Sequence, residues 1–216
     1  MGDGTVMQDH DSNERIGVFG GSFDPVHLGH LWIGEAATEQ LRLDRLLWIP
    51  TATQPLKPDG PVAGNEQRCA MLRLAVGGRK GHLVDDREIR RSGVSYTVDT
   101  VTELGREFPG ATLLLIVGSD SLESIRRWHQ PERLLQQVRL AVVQRGGEAA
   151  IDFSVLDGLV EPERIEAFRR CVIKMPVIEL SSTEIRRRVR QGRGVRYLVP
   201  RAVEAYLDAN RVYHVS

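Results

Sequence analysis

Apolar positions along the chain fall into two regimes. Short apolar runs end in glycine or proline, and longer stretches carry apolar residues three and four apart. Ile16 to Phe19 is the first short run and reads as a buried strand. The chain then breaks at Gly20-Gly21, turns through Asp24-Pro25 and restarts as a helix near Leu28. From Leu31 to Leu43 the positions Leu31, Ile33, Ala36, Ala37 and Leu41 keep helical spacing, and Arg45 to Pro50 forms a second strand. Residues 51–64 hold three prolines and two glycines and read as a long ordered loop. Asn65 is expected to cap the next helix, with Cys69, Leu72 and Val76 as its apolar stripe.

Further on, His82 to Ile89 reads as a strand, and Ser95 or Thr97 as the cap of a helix running through Phe108. Thr112 to Val117 is the most apolar strand and stops at Gly118-Ser119-Asp120, where a helix begins. Pro131 to Gln137 is predicted helical, Arg139 to Val143 a strand, and Pro162 to Arg169 a short helix. Cys171 to Ile178 is strand-like, with Pro176 demoting its end to an edge or bulge. Ser181-Ser182-Thr183 caps an arginine-rich helix reaching Gln191, and Pro200 to Ala209 is the last helix. This alternation predicts an α/β, Rossmann-like doubly wound fold, its mostly parallel sheet covered by helices on both faces. In such sheets ligands bind at the carboxyl edge, which Gly20, Pro50, Gly118 and Arg145 mark here.

Composition narrows the function classes. The 216 residues are 41% hydrophobic and 27% charged, as in soluble globular proteins. Lys+Arg and Asp+Glu number 29 each, so no global positive field argues for nucleic-acid binding. No apolar run approaches a membrane span. Cys69 and Cys171 lack metal-type spacing, and with no signal-peptide pattern before them they read as free thiols of a cytoplasmic protein. Residues 1–14 are polar and aperiodic and read as a disordered leader to a single domain over 15–216, with a C-terminal helical portion from about 181.

The chemistry centres on Arg15 to His30, where a glycine-lined strand-to-helix turn gathers bare N–H groups beside a helix N-terminus. That arrangement suits a phosphate. The glycines do not spell the dinucleotide G-x-G-x-x-G, and no Gly-Lys-Ser/Thr follows for a Walker loop. His27 and His30 lack the i, i+4 spacing and intervening Glu of a zinc protease, so no metal site is expected.

His27-Leu28-Gly29-His30 matches the H-x-G-H signature of the nucleotidyltransferases, and with the preceding G-G-S-F-D-P-V it resembles the opening of bacterial nicotinate mononucleotide adenylyltransferases. Three later blocks resemble the same family in order: Arg91 to Thr100 (R-x-G-x-S-Y-T-x-D-T), Gly118 to Leu122 with Trp128 beyond, and Ser181 to Arg186 (S-S-T-x-I-R). Two loops depart from it. Gln54-Pro55-Leu56-Lys57 has Leu56 where the family carries His, and Arg145-Gly146-Gly147 lacks the proline of R-P-G.

The resemblance implies transfer of the adenylyl group of ATP to nicotinate mononucleotide, with Mg2+ carried in on ATP and no nucleic-acid or membrane partner. It makes His27, His30, Lys57 and Arg186 the expected catalytic set. Gly20, Gly21, Ser22, Phe23, Gly118, Asp120, Ser182 and Thr183 join the histidines and Arg186 around ATP. Lys57, Tyr96, Thr97, Trp128 and Arg145 are expected on the mononucleotide. Nicotinamide mononucleotide and pantetheine phosphate stay open as alternative substrates, as does a non-catalytic nucleotide sensor. A homo-oligomer is also left open.

Overall fold

The computed structural model describes residues 13–53, 60–147 and 149–214. Residues 1–12 of the leader, and Lys57 with its neighbours in 54–59, lie outside these residues. Six strands form one sheet: β1 (Arg15–Gly21), β2 (Arg45–Pro50), β3 (His82–Val84), β4 (Thr112–Gly118), β5 (Arg139–Arg145) and β6 (Ile173–Met175). Their order is β3-β2-β1-β4-β5-β6 and every pairing is parallel. This is the doubly wound α/β order, and its direction reverses between β1 and β4.

The apolar runs form strands because both faces are buried. In β4, Leu113, Leu115 and Val117 enter one core while Leu114 and Ile116 enter the other. The first core also takes α1 (Leu28–Gln40), α2 (Asn65–Val76), α8 (Ser182–Arg190) and α9 (Arg201–Ala209). The second takes α4 (Thr97–Glu107), α6 (Pro131–Gln137) and α7 (Pro162–Arg169). Two short helices, α3 (Arg87–Arg91) and α5 (Ser119–Glu123), follow β3 and β4. Gly34 sets how closely α1 lies on the sheet, since a Cβ there would come within 2.5 Å of Trp48 Cζ2.

Several boundaries differ from the sequence expectation. The strand from His82 stops at Val84, because Asp85 turns the chain. Its carboxylate accepts from Arg87 N at 3.0 Å and Arg87 Nε at 2.6 Å, and α3 begins where strand was expected. Asn65 does not cap α2. Gly64 occupies that position, and Asn65 Oδ1 instead accepts from Arg68 Nη2 at 2.6 Å. Neither Ser95 nor Thr97 caps α4. Tyr96 holds the position, and Ser95 Oγ accepts from Ala52 N at 3.0 Å. The strand expected over Cys171 to Ile178 is confined to Ile173–Met175, since Pro176 has no N–H to continue a ladder. The last helix starts one residue late, with Pro200 as its N-cap.

Candidate active site

At the carboxyl end of β1 the chain passes through Phe23, at φ 46°, and a cis Asp24-Pro25 bond into α1. His27 is the N-cap of α1. Its Nδ1 accepts from His30 N at 3.4 Å, and His30 Nδ1 accepts from His27 N at 3.2 Å. The rings stack, with centroids 3.7 Å apart. Because both Nδ1 atoms act as acceptors, the proton of each neutral ring sits on Nε2. Burial, with Arg145 adding to it, pulls the His27 pKa down to about 4. Burial, then His27 and Arg145, hold His30 well below its ordinary value. Near neutral pH the pair therefore presents polar N–H donors, and the positive charge comes from arginines.

Those arginines border a cavity of about 460 Å³ lined by Ser22, His27, His30, Arg145, Thr183 and Arg186, among others. The start of α8 is tied to the turn below it: Ser182 Oγ donates to Pro25 O at 2.9 Å and Arg186 Nη1 to Asp24 O at 2.7 Å. Arg186 Nη2 donates to Thr183 Oγ1 at 3.3 Å, and its buried Nε has no partner among the described residues. Asp24 is 2% exposed and joins distant segments. Its carboxylate accepts from Val62 N (2.7 Å), Ala63 N (3.0 Å) and Tyr213 Oη (2.6 Å), with Arg186 Nη1 3.5 Å away. Burial and this hydrogen bond to Asp24 push the Tyr213 hydroxyl pKa far up, so it stays a donor.

A second cavity, of about 660 Å³, opens beside the first where β1 and β4 diverge, and Thr51 lines both. Its wall is aromatic. Trp128 is half-buried, with Nε1 donating to Ser124 Oγ at 3.4 Å, and the rings of Tyr96 and His129 lie 4.2 Å apart. Gly20, Thr97, Gly118 and Asp120 line it too. A Cβ on Gly20 would meet no atom of the described residues within 4 Å, so the strand end faces open space among them. A Cβ on Gly118 would come within 2.6 Å of Asp120 Oδ1, so glycine lets that carboxylate fold back.

The structure thus sorts the expected residues differently from the sequence. Gly118 and Asp120, expected around ATP, line the cavity of Tyr96, Thr97 and Trp128. Arg145, expected on the mononucleotide, lines the cavity of the histidines. Phe23 is 1% exposed and sits under the site, its ring edge-on to His30 at 5.1 Å. Gly21 lies against that ring, 3.1 Å from a built Cβ.

Three residues escaped sequence reasoning. Asp24 was read only as a turn former. Arg68 is wholly buried and donates to Ser22 O and Thr51 O, both at 2.7 Å, so it ties the ends of β1 and β2 beneath the site. Its signal was a charge beside Cys69 on the apolar face of α2. Glu88 is 4% exposed at the second cavity and accepts from Thr100 Oγ1 at 2.7 Å, with burial raising its carboxyl pKa. Reading its segment as strand hid it. Among the described residues no three His, Cys, Asp or Glu side chains converge to hold a metal ion, and no helix is long and apolar enough to cross a membrane.

The chain is similar to known proteins in sequence and in fold. A cytidylyltransferase-like family model matches residues 18–199. A Rhodopirellula baltica protein described as "Probable nicotinate-nucleotide adenylyltransferase" is 49% identical over 204 residues, covering 94% of this chain and 95% of that one. A Salinibacter ruber protein of the same description is 39% identical over 198 residues, covering 92% and 97%. Among solved structures, Plasmodium falciparum nicotinic acid mononucleotide adenylyltransferase complexed with NaAD superposes with a TM-score of 0.70 at 16% identity, covering 93% of this chain and 98% of that one. That likeness concerns the fold.

Proposed function

The chain belongs to the cytidylyltransferase-like family and to its nicotinate-nucleotide adenylyltransferases, and we infer that it transfers the adenylyl group of ATP to nicotinate mononucleotide, a step of NAD biosynthesis. The observation that carries this reading is the pair of adjoining cavities at the β1/β4 divergence. One is lined by imidazoles and guanidiniums, the other by Trp128 and Tyr96.

The 5′-phosphate of the mononucleotide is already an anionic nucleophile, so no general base is needed. One of its oxygens forms a bond to the α-phosphorus of ATP as the α–β bridging P–O bond breaks, and the electron pair leaves with pyrophosphate. What the chain supplies is alignment and charge stabilisation. His27 and His30 direct their Nε2–H groups at the phosphate oxygens and, being neutral, need no counter-charge. Ser22 adds donors from the β1 turn. Ser182 and Thr183 at the start of α8, with Arg186 and Arg145, hold the β- and γ-phosphates and the departing pyrophosphate.

In the second cavity the pyridine ring stacks on Trp128, and the N–H groups at the start of α4 meet its carboxylate. Gly20 leaves room for the ring and sugar, and Asp120 faces a ribose. Lys57, outside the described residues, is the further candidate for the mononucleotide phosphate. Mg2+ carried in with ATP as part of the substrate would supply neutralisation of the phosphate charge. The enzyme acts in the cytoplasm on these two small molecules.

The test is pyrophosphate release from ATP and Mg2+ with each of nicotinate mononucleotide, nicotinamide mononucleotide and pantetheine phosphate. Release with the first, at the highest kcat/KM, is expected. Release with pantetheine phosphate alone, or with none of them, overturns the reading.

A further inference from the structure

The cavity walled by Trp128 has two acidic groups and one guanidinium along its lining. Glu88 is buried and turned onto Thr100, and burial raises its carboxyl pKa toward the neutral form. Asp120 stands at the start of α5. The guanidinium is that of Arg127, the last residue of the 3-10 turn Ile125–Arg127 and immediate neighbour of Trp128.

Most arginines near this cavity are already engaged. Arg87 pairs with Asp85 and Glu107, Arg91 with Glu103, and Arg126 donates to Asp157 O. Arg127 is exposed, and its guanidinium has no hydrogen-bond or ion-pair partner among the described residues. His129, also in the lining, is in contact with the Tyr96 ring and hydrogen-bonded to Gln130 at 3.2 Å. One cation with uncommitted donors thus stands beside the aromatic plate.

We propose that Arg127 sets the preference for nicotinate over nicotinamide by attracting the ring carboxylate of a pyridine stacked on Trp128. This rests on a pyridine mononucleotide being the substrate. The α4 N–H groups can hydrogen-bond an oxygen of either a carboxylate or an amide, so they separate the two substrates weakly. Acid and amide have nearly the same shape, and what distinguishes them is a full negative charge. A guanidinium reads that charge and offers two parallel donors to a carboxylate. The site is open to solvent, which screens the attraction, so its contribution is a modest one.

The test compares kcat/KM for nicotinate and nicotinamide mononucleotides in the wild-type enzyme, Arg127→Gln and Arg127→Glu, with circular dichroism to confirm folding. The acid-to-amide ratio is expected to fall about tenfold in the Gln variant and further in the Glu variant, a graded response to charge. An unchanged ratio in both variants overturns the proposal, even if both rates drop, because equal losses would put Arg127 on the phosphate or in packing. Wild-type enzyme that turns over neither mononucleotide overturns the functional reading itself, and this assignment with it.

Discussion

His27 and His30 cap each other: each ring Nδ1 accepts the other residue's backbone N–H, and the rings stack 3.7 Å apart. The same bonds that start α1 fix the tautomer of both rings and leave each ring proton on Nε2. Secondary structure and donor geometry are thus one arrangement. Replacing His30 with Ala is expected to leave the fold intact by circular dichroism and to lower kcat by about 10²–10³-fold, the usual loss for a preorganised donor. Pyrophosphate release measures it, and a kcat within threefold of wild type would remove His30 from the reaction.

Acid should weaken the fold through the same pair. Unfolded, each ring has an ordinary pKa of 6.5, whereas His27 is pulled down to about 4 in the native chain and His30 is also lowered. The unfolded state then binds protons first as pH falls. The contribution to stability is full above about pH 6.5 and is lost toward pH 4, at about 1.4 kcal/mol per pH unit for each ring. Urea midpoints measured from pH 7.5 to 5 should decline, and the double variant His27→Asn/His30→Asn should flatten the slope. Parallel slopes in the two proteins would contradict the assignment.

Asp24 accepts from Val62, Ala63 and Tyr213 while lying beside Arg186. Asp24→Asn turns one of these acceptors into a donor facing a donor and removes the negative charge beside Arg186. A loss of about 3 kcal/mol in unfolding free energy is expected, together with a raised KM for ATP. Tyr213→Phe removes one bond only and should cost about 1–2 kcal/mol. Equal stability of Asp24→Asn and wild type in denaturant titrations would show that the carboxylate is dispensable.

Gly20 offers a way to disturb the ligand while sparing the protein. Among the described residues no atom lies within 4 Å of a Cβ added there, so Gly20→Val should keep its melting temperature. The branched side chain would occupy the second cavity, and kcat/KM for the mononucleotide should fall about 10²-fold through misplacement. A variant that unfolds, or one with normal kinetics, would place the strand end differently.

The sheet was legible because its signals are local. Apolar runs such as Thr112 to Val117, closed by glycine, report two-sided burial wherever they occur. Three of the misreadings share one cause, a polar side chain taken up by a specific partner that apolar periodicity does not report. Asn65 looks like a cap until Arg68 takes its oxygen, and Ser95 looks like one until Ala52 does. Asp85 ends a strand that the apolar count around Leu83 extends, since its bonds to Arg87 have no periodic signature. The histidines and Trp128 stand out in the sequence because their chemistry is uncommon in a turn or after a strand. Arg68 and Asp24 were missed because their roles depend on carbonyls and amides that only the folded chain brings to them. The division of the candidates between two cavities was likewise invisible, since Gly118 and Arg145 both end strands and only the position of β4 next to β1 separates them.

The bond from Tyr213 to Asp24 spans 189 residues of sequence. During synthesis the phosphate turn emerges first, and the hydroxyl that completes the ring of partners around Asp24 emerges 189 residues later. A nascent chain can therefore assemble its sheet while Asp24 still lacks one of those partners. The turn that precedes the histidines gains this last partner of Asp24 only when the segment around Tyr213 docks. A clip or fusion near residue 213 would consequently be felt in the handling of ATP, far from where the cut was made.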